Sequence, residues 1–109
     1  MITTTRRSAL IAGASLLALP SLARAQGGPI KLGTLTPLTG AGGPYGPVMA
    51  NCVKSVIEAV NGAGGVLGRQ IQVVSEDDQT NPEAGVRAAR KLIDVDRVAA
   101  IMGTWASSV

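Results

Sequence analysis

Two aromatic side chains, Tyr45 and Trp105, and the hydroxyls near them, Thr39, Thr104, Ser107 and Ser108, are the residues best suited to handling a ligand. An aromatic face beside hydroxyls and free backbone amides suits a small zwitterion with an apolar body. The ring covers the body, and the polar groups take the carboxylate. The chain has no phenylalanine and no histidine. Without histidine, Ser–His catalysis and the commonest metal ligand both drop out. No Gly-x-Ser-x-Gly run occurs, so the nucleophile turn of an exported hydrolase is missing. The chemistry on offer is recognition rather than reaction: no catalytic residue, no metal and no cofactor is expected.

Three further groups could carry chemistry, and each has a plainer reading. Gly40-Ala41-Gly42-Gly43-Pro44-Tyr45-Gly46 invites comparison with a dinucleotide fingerprint, but Tyr45 stands where a third glycine is required. Pro44 and Pro47 also remove amides that a pyrophosphate would use. Asp77-Asp78 could bind a metal or accept a phosphoryl group; adjacent carboxylates ahead of a capped helix read better as a solvated turn. Cys52 is the one cysteine, so no disulfide forms within the chain, and its place on an apolar helical stripe predicts a buried thiol.

These residues need elements to hold them, and the hydrophobic period supplies five. Ile30–Thr36 alternates as a strand, with Ile30, Leu32 and Thr34 on one face and Leu35 on the other. Pro37–Pro47 is a loop rich in glycine and proline. From Val48, the residues Met49, Cys52, Val53, Val56, Ile57 and Val60 recur at helical spacing. Asn61-Gly62-Ala63-Gly64-Gly65 ends that helix, since these residues accept left-handed backbone. Gln70–Glu76 reads as a second strand. Asn81 caps a second helix, Pro82 fits its first turn and Glu83 suits its positive end. Val86, Ala89 and Ile93, flanked by Ala88 and Leu92, are its expected buried face. Val98–Met102 reads as a strand covered on both sides.

The order β-α-β-α-β predicts an α/β layered fold, part of a doubly wound parallel sheet. With strands ordered 2-1-3 across the sheet, the first and third flank the switch point where ligands bind. Tyr45 and Trp105 follow those two strands, so they are expected to face each other across the crevice. Ser107-Ser108 falls where a third helix would start.

Residues 1–25 read as an export leader. Arg6 and Arg7 give a basic start, Ala9–Leu19 is apolar or small, and Ala23-Arg24-Ala25 predicts cleavage between Ala25 and Gln26. The apolar run is shorter than the roughly 20 residues that span a bilayer. Thr5-Arg6-Arg7-Ser8 approximates a twin-arginine motif, and an ordinary Sec leader fits as well. The leader also holds three of the ten basic residues, so residues 26–109 balance seven basic against seven acidic groups. Nothing in that balance points to nucleic acid or to an anionic membrane. No cysteine follows the leader at a lipidation position, so the expected product is soluble and periplasmic.

The linked motifs carry a resemblance. Ile30-Lys31-Leu32-Gly33, Pro37-Leu38-Thr39-Gly40, Tyr45-Gly46 and the run Ile57–Arg69 resemble the start of a periplasmic substrate-binding protein of the leucine/isoleucine/valine type, which serves ABC importers. Glu76-Asp77-Asp78-Gln79, Asn81-Pro82, Ala88–Leu92, Met102-Gly103 and Ser107-Ser108 continue it over Ile30–Val109. The resemblance implies a type I periplasmic-binding-protein fold, two lobes closing without catalysis on a branched-chain amino acid or related small amide, and a membrane permease as partner. It implies that Tyr45 closes over the ligand and that Ser107 holds its carboxylate or polar head. Trp105, Ser108 and Thr39 complete the expected ligand-binding set. Some relatives carry a cysteine at the position of Ala106 and a partner near Thr80, joined in a disulfide; this chain has neither. Family members run to several hundred residues, so 26–109 is expected to be an incomplete first lobe with negligible affinity by itself. A ligand-sensing lobe of a receptor, or an amide-sensing regulator of the same fold, is the alternative.

Overall fold

The structure is a computed structural model that describes residues 27–109; the expected leader and the Ala25–Gln26 junction lie outside the described residues. Three strands, β1 (Ile30–Thr36), β2 (Ile71–Asp77) and β3 (Ala100–Met102), form one parallel sheet ordered β2-β1-β3. Leu32 of β1 stands opposite Val73 on one side and Ala100 on the other. Helix α1 (Gly46–Gly62) joins β1 to β2, and α2 (Pro82–Arg90) runs into a π-helical turn, Lys91–Val95, ahead of β3. The expected order and sheet arrangement are both present.

Side chains alternate across a strand, which fixes what each helix covers. Thr34, Val73 and Ser75 face α1, where Ala50, Val53 and Ile57 lie over them around a cleft of about 270 Å3. Thr34 Oγ1 donates to Ser75 Oγ at 2.8 Å on the floor of that cleft. Gly33 and Leu35 face the other way. Leu92 methyls lie 3.1–3.3 Å from where a Cβ on Gly33 would stand, with Val98 Cγ2 at 3.2 Å. Leu92 is fully buried, and Leu35, Ala84 and Ala88 complete the core.

Helix α1 begins at Gly46, three residues before Met49, the first residue of the apolar period, because Pro47 fits the first turn. Its end is clasped by Asn61, whose Oδ1 accepts from Ile71 N (2.8 Å) while its Nδ2 donates to Ile71 O (2.9 Å). Between them, Val66 and Arg69 exchange backbone hydrogen bonds around Leu67 (φ 51°) and Gly68 (φ 73°), a type I′ turn. Leu67 is 83% exposed, so it occupies left-handed backbone without a packing return. Leu67→Asn is expected to stabilise the chain by about 1 kcal/mol, since asparagine tolerates this conformation. A urea midpoint that fails to rise would contradict it.

Four expectations about burial are corrected. Cys52 is exposed, not buried. It borders an apolar groove of about 300 Å3 with Val53, Val56, Ile57 and Met102, on the part of α1 that overhangs β3 rather than β1 and β2. The buried face of α2 is Ala84, Gly85 and Ala88, continued by Leu92; Val86 and Ile93 are exposed and Ala89 is half-buried. Small residues win that face because the helix lies close to the strand ends. A Cβ on Gly85 would stand 2.5 Å from Val109 Cγ1. Strand β3 is shorter than Val98–Met102, and among the described residues it lies at the edge of the sheet with Ala100 and Met102 exposed, so it is not covered on both sides there. Asp77-Asp78 is no solvated turn, since Asp78 is fully buried.

Candidate functional site

The carboxyl ends of the three strands release three loops side by side, and their hydrogen bonds show which one holds which. Asp77, the last residue of β2, is the hub. Its Oδ1 accepts from Leu38 N (2.9 Å), Thr39 N (3.2 Å) and Gln79 N (2.8 Å), and its Oδ2 accepts from the Thr39 hydroxyl. Thr80 Oγ1 accepts from Gly42 N at 2.8 Å. Gly40 (φ 78°) lies so close that a Cβ there would stand 2.0 Å from Gln79 O. The loop after β1 is thereby sewn onto the loop after β2.

Burial works against the charge on Asp77, and the donors together outweigh it: the Thr39 hydroxyl, then the amides of Gln79, Thr39 and Leu38. Its carboxyl is held below the ordinary aspartate range. A carboxylate depressed in the folded chain contributes stability in full above its unfolded pKa. That contribution is lost as pH falls through the lower folded value. Asp77→Asn is therefore expected to flatten the acid limb of stability against pH, read as urea midpoints below the ordinary aspartate range. Parallel acid limbs for both proteins would refute this. Asp78 turns inward instead, its Oδ1 accepting from Thr80 N at 2.7 Å and its Oδ2 having no partner among the described residues.

The sewn loop delivers Tyr45. Its backbone carbonyl caps α1 by accepting from Met49 N, and its own N–H donates to Gly42 O at 2.9 Å. Its ring stacks on Trp105 with centroids 4.9 Å apart and planes inclined by 25°. Such a pair contributes about 0.5–1.5 kcal/mol beyond its burial. The stack closes the loop after β1 against the loop after β3, across the switch point. Both rings remain about half exposed, at 56% and 50%, so one continuous aromatic surface faces solvent.

Of the other expected ligand contacts, Ser107 and Ser108 lie in an exposed turn directly after Trp105, closed by Val109 N donating to Ala106 O at 3.1 Å. The third helix expected to start there is, among the described residues, this turn alone. Thr39 belongs to the same edge, but its hydroxyl donates to Asp77, a framework role. Asp77, read from the sequence as part of a solvated turn, is the residue that holds the loop after β1. Its signal was a carboxylate at the carboxyl end of a strand, next to a loop with unpaired amides.

The profile of the family described as periplasmic binding protein matches residues 29–109. The chain belongs to the periplasmic binding protein family. An amino acid binding protein of Pseudomonas aeruginosa is 33% identical over 79 residues, covering 72% of this chain and 21% of its own length. Among solved structures, the branched-chain amino acid transporter substrate binding protein LivJ of Streptococcus pneumoniae, in complex with isoleucine, superposes with a TM-score of 0.67 at 26% identity. That match covers 70% of this chain and 22% of LivJ. A fatty acid ABC transporter substrate-binding protein from Thermomonospora curvata gives 0.63 at 36% identity, over 68% of this chain and 18% of that one. The chain thus spans about a fifth of the length of the relatives it matches. Its parallel sheet with alternating strands and helices is that of the type I periplasmic binding proteins.

Proposed function

We propose that this chain forms part of the first lobe of an extracytoplasmic solute-binding component of an ABC importer, presenting a branched-chain amino acid or similar small zwitterion to a membrane permease. The observation that carries the reading is the Tyr45–Trp105 stack at the switch point, with Ser107-Ser108 in the turn that follows Trp105 in the chain. The aromatic surface covers the apolar body of the ligand, and Ser107 hydrogen-bonds its carboxylate. Ser108 and nearby backbone amides flank that contact. The reading is supported by relatives described as binding amino acids and by the match to a protein holding isoleucine. No step of bond making or breaking is required, and the chain acts by binding alone. Export through the Arg6-Arg7 leader, with cleavage after Ala25, delivers it to the periplasm.

Half-exposed rings cannot enclose a ligand, whereas small-molecule sites bury most of the ligand surface. Residues 26–109 alone are therefore expected to give no micromolar binding of leucine, an aliphatic amide or urea in a calorimeter. A two-lobed protein carrying this segment as its first lobe is expected to bind leucine. There, Ser107→Ala should weaken binding roughly 10- to 150-fold, the range for a hydrogen bond to a charged group. Unchanged affinity in that variant removes Ser107 from the site, and tight binding by the isolated segment overturns the two-lobed requirement.

A further inference from the structure

The loop after β1 has a glycine-rich, open composition, yet it presents Tyr45 in one place, and the means lie on a different strand. We infer that Asp77 is a positioning residue for the aromatic wall: by gathering the Leu38 and Thr39 donors at the end of β2, it sets where Tyr45 meets Trp105. The inference rests on the reading of those rings as ligand surface for its relevance to binding, and on the hydrogen bonds for its content.

The path is continuous. Asp77 holds the loop at Leu38 and Thr39. Thr80, whose own backbone follows from Asp77 through Gln79, holds it at Gly42. From Gly42 the carbonyl accepts from Tyr45 N, and Tyr45 starts α1. Among the described residues, the side-chain tethers of the loop between Pro37 and Tyr45 to β2 and its following loop run to Asp77, with three of the contacts, and to Thr80, whose own amide donates to Asp78 Oδ1. Removing the carboxylate leaves the amide and hydroxyl of Thr39 unpaired and Leu38 N with Thr36 O alone, so the loop is then free to seek water instead. Glu76 and Lys91 pair with each other next door, so they do not replace it.

The test uses the one tryptophan of the chain as reporter. In the 109-residue chain, Asp77→Ala is expected to raise acrylamide quenching of Trp105 roughly twofold, because Tyr45 covers one of the two indole faces. Asp77→Asn should restore most of the wild-type value, since its Oδ1 still accepts from the amides and its Nδ2 can donate to Thr39 Oγ1. In a Tyr45→Ala background, Asp77→Ala should add no further quenching, because nothing is left to position. A folded Asp77→Ala chain, judged by circular dichroism, that quenches like wild type overturns the inference. So does an equal increase in the Tyr45→Ala background. If Asp77→Ala does not fold, Thr39→Val removes one donor only, and unchanged quenching there overturns it equally. None of these readouts involves a ligand, so calorimetric failure of the binding reading is a separate result.

Discussion

Leu92→Ala is expected to destabilise the chain by about 2–5 kcal/mol, a large share of the stability of a domain this small. Leu92 is fully buried, and its two methyls fill the space left by the missing side chain of Gly33. It stands on the π-helical turn between α2 and β3, so one side chain ties that turn to the central strand. Truncation leaves a cavity against β1 that the neighbours close only in part, because Val98 already occupies the other side of the gap. The measurement is a urea midpoint at unchanged slope. Gly33→Ala added to Leu92→Ala should recover part of the loss by putting a methyl into the same space. A Leu92→Ala midpoint close to wild type would show that the site collapses freely.

Gly40→Ala should cost on the order of 3 kcal/mol, because strain and collision act together. Its φ of 78° is left-handed, where a side chain is already unfavourable, and its Cβ would stand 2.0 Å from Gln79 O. The obstacle is backbone, which cannot rotate aside. The loop after β1 must then lift from the loop after β2, stretching the Thr80–Gly42 and Asp77–Thr39 contacts. Stability loss and increased exposure of Trp105 are expected in the same variant. Loss of stability with Trp105 unchanged would mean that the loop yields elsewhere and that Tyr45 is held from α1 alone.

The residues themselves announce the element types, and with them the edge of the sheet that matters. Helical spacing from Met49 to Val60 and alternation through Ile30–Leu35 are local patterns, since each reflects the repeat of its own backbone. Asn81 and Pro82 likewise mark a helix start by local chemistry, and the structure has Asn81 Oδ1 accepting from Ala84 N. The order β-α-β-α-β makes the loops after β1 and β3 neighbours at the switch point only with the strands ordered 2-1-3, and the sheet has that order. The stacked rings confirm that neighbourhood.

Burial was not legible in the same way. Val86 and Ile93 look like core and lie outside, Ala84 and Gly85 look neutral and lie inside, and of the expected face Ala88 and Leu92 are buried. Which face turns inward depends on how near α2 comes to the strand ends, and that distance belongs to the partner elements. Cys52 fails for the same reason, since α1 is wide enough to overhang β3. Asp77 is the sharpest case. An acidic pair reads as solvent-facing because carboxylates prefer water, and only the fold brings to it the amides of a loop nearly forty residues earlier in the chain. Local repeat and turn chemistry sufficed for the elements and their sequence, since those follow from each backbone segment alone. The buried faces and the hub at Asp77 arise from contacts between distant segments, which exist only once the sheet has assembled.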